Sequence, residues 1–154
     1  MIEPSYRVID GFQVAGIAVR TTNEDEGDPA KARLSGLWQR FATESAIHQL
    51  GGGGPVGVIT DYESDEKGAY TNLAGVRLVE QVAIPPGLRI VQIPAGKYLV
   101  FRSVGPLPQC VIEGWREVWK YFAHVKEPRR AFRTDFELYG SGNVEICISI
   151  VEPV

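Results

Sequence analysis

The 154-residue sequence holds little of what usually marks reactive chemistry: two cysteines, two histidines and one methionine. Cys110 and Cys147 are too few for a disulfide framework, and both lie in apolar stretches where a thiol serves as a small hydrophobe. His48 and His124 have no Cys, Asp or Glu at metal-ligand spacing, and each falls near the end of a predicted helix. No metal and no cofactor is expected. No apolar run approaches the roughly 18 residues that cross a bilayer. Met1-Ile2-Glu3-Pro4 offers neither the basic start nor the apolar stretch of a secretory signal, so a cytoplasmic location is expected and a membrane partner is not. A surplus of positive charge is also lacking, with 16 Lys and Arg against 19 Asp and Glu for a net charge of -3. Duplex binding needs clustered basic groups to displace counterions. The one basic cluster, Lys126, Arg129, Arg130 and Arg133, is interrupted by Glu127 and Pro128. Direct contact with nucleic acid is not expected.

What is present is a core. Hydrophobic residues make up 44% of the chain, enough for one ordinary domain over 1–154. Tyr6 to Arg20 reads as a strand with Gly11 and Gly16 marking a bend or bulge. A polar, acidic loop, Thr21 to Asp28, follows. Asp28-Pro29 is a helix-start signal, and Leu34, Leu37, Trp38 and Phe41 keep helical spacing toward Gln49. Gly51 to Gly54 and Pro55 end that helix. Val56–Glu63 and Tyr70–Val82 read as a strand pair around Ser64–Gly68.

Beyond Pro85-Pro86-Gly87 the pattern restarts. Leu88–Arg102 is strand-like and split by Pro94-Ala95-Gly96; Val111, Ile112, Trp115, Val118, Trp119 and Phe122 form one apolar helix face. Arg133–Tyr139 and Val144–Val151 alternate as strands around Gly140–Asn143. Both halves, about 6–83 and 88–152, spell strand, helix, strand, strand. Residues repeat as well: Arg7-Val8-Ile9 with Arg89-Ile90-Val91, Trp38–Phe41 with Trp119–Phe122, and Thr60–Glu63 with Thr134–Glu137. The expected fold is α+β, a duplicated βαββ unit whose halves pair about a pseudo-twofold axis. One antiparallel sheet then carries two helices on one face, with a groove between them.

Two other patterns carry no site. Asp61, Glu63, Asp65 and Glu66 resemble a calcium loop, but Gly68 is misplaced and Asn72 replaces the closing Glu. The glycines at 51–54 follow a helix and lack the Lys-Ser/Thr of a phosphate loop.

The segment Ile93–Phe101, Gly105, the helix with Trp115 and Trp119, and Phe136-Glu137-Leu138-Tyr139 resemble the GyrI-like family. These are small-molecule-binding domains also found as effector-binding domains of AraC-type and multidrug-sensing transcription activators. Val58–Asp65 resembles the stand-alone branch, including members carried on integron cassettes, and Val144–Ile150 resembles the family's last strand without its usual proline. The resemblance implies a central groove for apolar, often cationic, aromatic molecules, with Glu137 as the pocket carboxylate. Trp115, Trp119, Tyr98, Phe101, Phe136, Tyr139 and Tyr62 are the aromatic residues available to line it. Strand neighbours point to opposite faces, so a groove-facing Glu137 turns Phe136 away and keeps Asp135 and Tyr139 on its own side.

Three functions follow from that resemblance. The first is a stand-alone, non-catalytic protein for hydrophobic or cationic aromatic compounds, a drug sensor or sequestering module with no DNA-binding region of its own. The second is hydrolysis of cyclopropane-containing toxins, with Glu137 as general base on water. The third is a protein-interaction role of the gyrase-inhibitor kind, and a homodimer or protein partner is left open.

Overall fold

Asp10-Gly11 divides the expected first strand into β1 (Ile2–Ile9) and β2 (Phe12–Thr21) in the computed structural model, which describes residues 2–50, 53–79 and 83–151. The acidic stretch read as a loop contains a single helical turn, α1 (Asn23–Glu26), capped by the Thr22 hydroxyl accepting from the Asp25 amide at 3.0 Å. Asp28 does not start the long helix. Its carboxylate accepts from the Ala30 amide within a turn, and α2 begins later (Leu34–Thr43). There the free amides of Arg33 and Leu34 donate to the Glu26 carboxylate at 2.9 and 3.2 Å, a cap supplied from α1 that no local sequence signal announces. The helix stops at Glu44, whose backbone is extended, and a second single turn, α3 (Ser45–His48), replaces its expected last stretch. Gly51 and Gly52 of the glycine run lie outside the described residues.

Next come β3 (Pro55–Thr60) and β4 (Tyr70–Arg77), both shorter than the pattern implies. Asp61 leaves β3 with a φ of 51°, and the expected end of the following strand, 80–82, lies outside the described residues. β5 (Arg89–Ile93), β6 (Gly96–Val104), α4 (Gln109–His124), β7 (Asp135–Gly140) and β8 (Asn143–Ser149) complete the chain as expected to within a few residues. Residue 152, where the second repeat was taken to end, lies outside the described residues. Among the described residues no helix is long and apolar enough to cross a membrane.

The eight strands of the described residues form one antiparallel sheet in the order β1-β6-β8-β7-β3-β4-β2-β5. The first strand of each half crosses to the other half: β1 pairs with β6 and β5 with β2. One face is strongly curled onto itself around Phe12, Val58, Leu73, Val100, Phe136 and Cys147. Phe12 and Phe136 stand three strands across and six residues along from each other, roughly 25 Å in a flat sheet, yet their ring centroids are 5.5 Å apart. Gly16 opposite Gly75 permits that curl, because a Cβ on either would overlap the partner strand's backbone. Gly16 therefore serves close strand approach, and the β2–β4 register runs through it without a bulge.

The other face carries the helices in two separate patches. α2 and α3 lay Leu37, Phe41 and Ile47 on Ala74 and Val76. α4 lays Cys110 and Val118 on Phe101, Ile146 and Ile148. Between the patches runs the β3–β7 pair, where the two halves meet and the pseudo-twofold axis falls. Thr60 and Thr134 are neighbours across this pair, their hydroxyls 2.9 Å apart. Thr60–Glu63 thus leaves β3 where Thr134–Glu137 enters β7, so this one repeat match is not a structural equivalence.

Candidate functional site

On the helix-bearing face one cross-strand row reads Phe101, Ile146, Glu137, Gly57, Ala74 and Ile17. Its ends are apolar and roofed by α4 and α2. Its middle, on the β3–β7 seam, pairs a carboxylate with a glycine. The absent side chain of Gly57 is the room that Glu137 occupies, for a Cβ there would overlap Oε1 of Glu137 and stand 3.3 Å from the Trp38 ring.

Glu137 is 4% exposed. Burying a carboxylate is costly unless its oxygens are bonded, and both are held by aromatic donors. The Trp115 indole N–H donates to Oε2 at 2.6 Å, and the Tyr139 hydroxyl donates to Oε1 at 2.8 Å. None of the ion pairs among the described residues includes it. Burial outweighs the two hydrogen bonds and pushes the Glu137 carboxyl above the ordinary glutamate range. Burial, then the neighbouring Glu137 charge, drives the Tyr139 phenol well above its usual range. Trp38 closes the site from the α2 side with its ring centroid 5.2 Å from that of Tyr139.

The next row on the same face holds Val19, Asn72, Ile59 and Asp135. Asp135 is fully buried and fully bonded: Ser149 gives its amide and hydroxyl to Oδ1 at 2.7 and 2.8 Å, and Arg130 and the Tyr62 hydroxyl meet Oδ2. The Arg130 guanidinium lies 4.3 Å from the Phe132 centroid and 5.8 Å from both Tyr62 and Trp115. Trp115 therefore stands between a buried carboxylate on one side and a buried cation on the other. Two buried polar atoms have no partner among the described residues, Asn72 Oδ1 and Arg130 Nε.

Of the aromatic residues proposed from sequence, Trp115 and Tyr139 touch Glu137. Tyr62 sits at the Asp135 end of the same face, 6.2 Å from Tyr70. Trp119 lies one turn beyond Trp115, 6.4 Å away and 41% exposed. The structure corrects three placements. Phe101 is core beneath α4 against Tyr121 and Phe122, and Tyr98 and Phe136 pack together on the opposite face of the sheet. Strand alternation accounts for the last two, since each is an odd number of rows from Glu137. Sequence reasoning missed Trp38, Gly57, Asn72 and Arg130 as site residues. The sequence repeat aligns Trp38 with Trp119, whereas Trp38 and Trp115 are the pair that flank Glu137. An open concavity of about 550 Å³, bounded by Val19, Arg33, Arg40 and Thr43, lies on α2 and meets the second row only at Val19.

Residues 8–150 match the family model described as Cass2, integron-associated effector binding protein. Among solved structures, the integron cassette protein VCH_CASS2 from the mobile metagenome of Vibrio cholerae is 37% identical at a TM-score of 0.87, covering 97% of this chain and 96% of that one. SAV2435, solved bound to tetraphenylphosphonium, superposes at 0.76 with 22% identity, over 97% of this chain and 94% of its own. No curated protein matches the sequence.

Proposed function

The chain belongs to the Cass2 family of integron-associated effector binding proteins, and from that premise we propose that it binds hydrophobic, cationic aromatic molecules over the β3–β7 seam, with Glu137 as counter-charge. The observation that carries this reading is a nearly fully buried carboxylate bonded only by neutral aromatic donors. A buried carboxylate kept for structure is ordinarily paired with a cation, as Asp135 is with Arg130. Glu137 instead carries a charge that a ligand can complete. In such a water-poor setting Coulomb attraction is less screened, and indole faces add about 0.5 to 2 kcal/mol each for a desolvated cation.

Trp38, Trp115 and Tyr139 cover the carboxylate, so an entering ligand parts the two tryptophans and takes their place against it. Flat walls make the site tolerant of ligand shape, which suits a sensor or a sequestering protein for many compounds. SAV2435 with its bound tetraphenylphosphonium supports a bulky aromatic cation as the ligand class. Titration with tetraphenylphosphonium, followed by quenching of the three tryptophans, tests the proposal. Saturable quenching by wild type that is weakened in Glu137→Gln is expected. No binding, or equal binding by both proteins, would refute it.

A further inference from the structure

We propose that Asn72 is a second anchor of the same groove and selects elongated cations that carry an N–H donor remote from the charge held by Glu137. The inference rests on the cation-binding reading of that groove. Asn72 is 4% exposed, and its amide oxygen has no hydrogen-bond partner among the described residues. A buried acceptor left unbonded bears the full cost of desolvation, which is why such groups are rare unless something completes them.

The register places it. β4 pairs with both neighbours without interruption, so Asn72 faces the same side as Ala74 and hence as Gly57 and Glu137. It lies two strands across from Glu137 and one two-residue step along. At about 4.8 Å per strand and 3.4 Å per residue, the two Cα atoms stand roughly 12 Å apart. The other residues of that two-row patch are Gly57, Ala74, Ile59 and Asp135; the first two have almost no side chain, and Trp38 and α2 lie over them. Tyr70, buried on the same strand and face, continues the floor beyond Asn72, and burial raises its phenol well above the usual range.

The two anchors differ in kind. Glu137 supplies charge and accepts any cation, including one with no hydrogen to give. Asn72 supplies a neutral acceptor, which rewards only a ligand with a donor in reach and penalises one that leaves it bare. A compact cation without N–H groups therefore uses Glu137 alone. A flat rod with an amidinium at each end uses both, one amidinium on the carboxylate and the other on the amide oxygen. Discrimination of this type depends on leaving the site's polar group unpaired when the wrong ligand binds.

Two probes separate the roles: tetraphenylphosphonium, which has no N–H, and the diamidine 4′,6-diamidino-2-phenylindole, whose own fluorescence reports binding. Asn72→Leu is expected to weaken the diamidine ten- to fiftyfold and to change tetraphenylphosphonium less than twofold. Asn72→Asp, which keeps an acceptor, is expected to hold the diamidine at least as tightly as wild type, and thermal melts confirm that each variant folds. Wild type binding both probes, with Asn72→Leu affecting them equally or not at all, overturns the role of Asn72 and leaves that of Glu137 standing. A loss of diamidine in Asn72→Asp as large as in Asn72→Leu overturns it as well. Failure of wild type to bind either probe, or equal binding of both by Glu137→Gln, overturns the groove reading and this inference together.

Discussion

Replacing Glu137 by Gln should stabilise the protein and impair it in one step. The amide is nearly isosteric, keeps an acceptor for the Trp115 indole at Oε2's position, and removes a negative charge that forms no ion pair among the described residues. Relief of an incompletely compensated polar burial is worth about 1 kcal/mol or more, or about 2 to 4 °C in Tm for a chain of this length. The same change removes the ligand's counter-charge. At about 5 Å and an effective dielectric near 20 the attraction is about 3 kcal/mol. Part of that replaces ligand hydration, leaving a ten- to hundredfold rise in Kd.

The pH dependence supplies the refutation. Because burial raises the folded-state pKa of Glu137, the wild type binds a proton there more readily folded than unfolded. Its contribution to stability is present below the unfolded glutamate value and is lost as pH rises through the raised folded value. The stability gap between Glu137→Gln and wild type should therefore be small near pH 4 and widen as pH climbs. Cation affinity in wild type should rise over the same window and stay flat in the variant. Differential scanning calorimetry across pH and ligand titration at each pH measure both. A variant less stable than wild type at neutral pH, or a gap that narrows with rising pH, would refute the account of an uncompensated carboxylate.

Gly57→Ala, a change that touches no charge, should displace the Glu137 carboxylate and cost about 1 to 3 kcal/mol of overpacking, read as lowered Tm together with weakened tetraphenylphosphonium binding. Arg130→Met leaves Asp135 buried without its cation and should cost about 3 to 5 kcal/mol, while the pair Arg130→Met and Asp135→Asn recovers much of that loss in urea unfolding. Gly75→Val should fail to fold or unfold at much lower denaturant, since its side chain would meet the Ala15 carbonyl. Burial pushes the Cys147 thiol up to about 12, so it should stay unreactive toward a disulfide reagent until the protein unfolds.

The architecture was legible because its signals are local and periodic. Alternation marked the strands, the apolar stripe of Val111, Trp115, Val118 and Phe122 marked α4, and repetition implied the pseudo-twofold sheet. Glu137 itself came from resemblance, since a lone carboxylate on a strand otherwise reads as solvated. Long-range facts stayed hidden. The Glu26 cap on α2 joins residues seven positions apart, and the exchange of β1 and β5 between halves depends on pairing across the whole sheet. The Gly57–Glu137 pairing joins residues 80 apart, so neither the glycine's purpose nor the carboxylate's burial could be read from its own neighbourhood. Aromatic lists were the weakest guide, because composition gives ring faces without saying which side of the sheet they occupy.

A duplicated sheet with one tryptophan on each wall offers a guest two equivalent ways to lie, related by half a turn about the seam. Glutamate on one side of that seam and glycine on the other abolish the equivalence. On the proposed reading, a guest with its charge at one end would have a head and a tail over the seam, and one pose would be favoured.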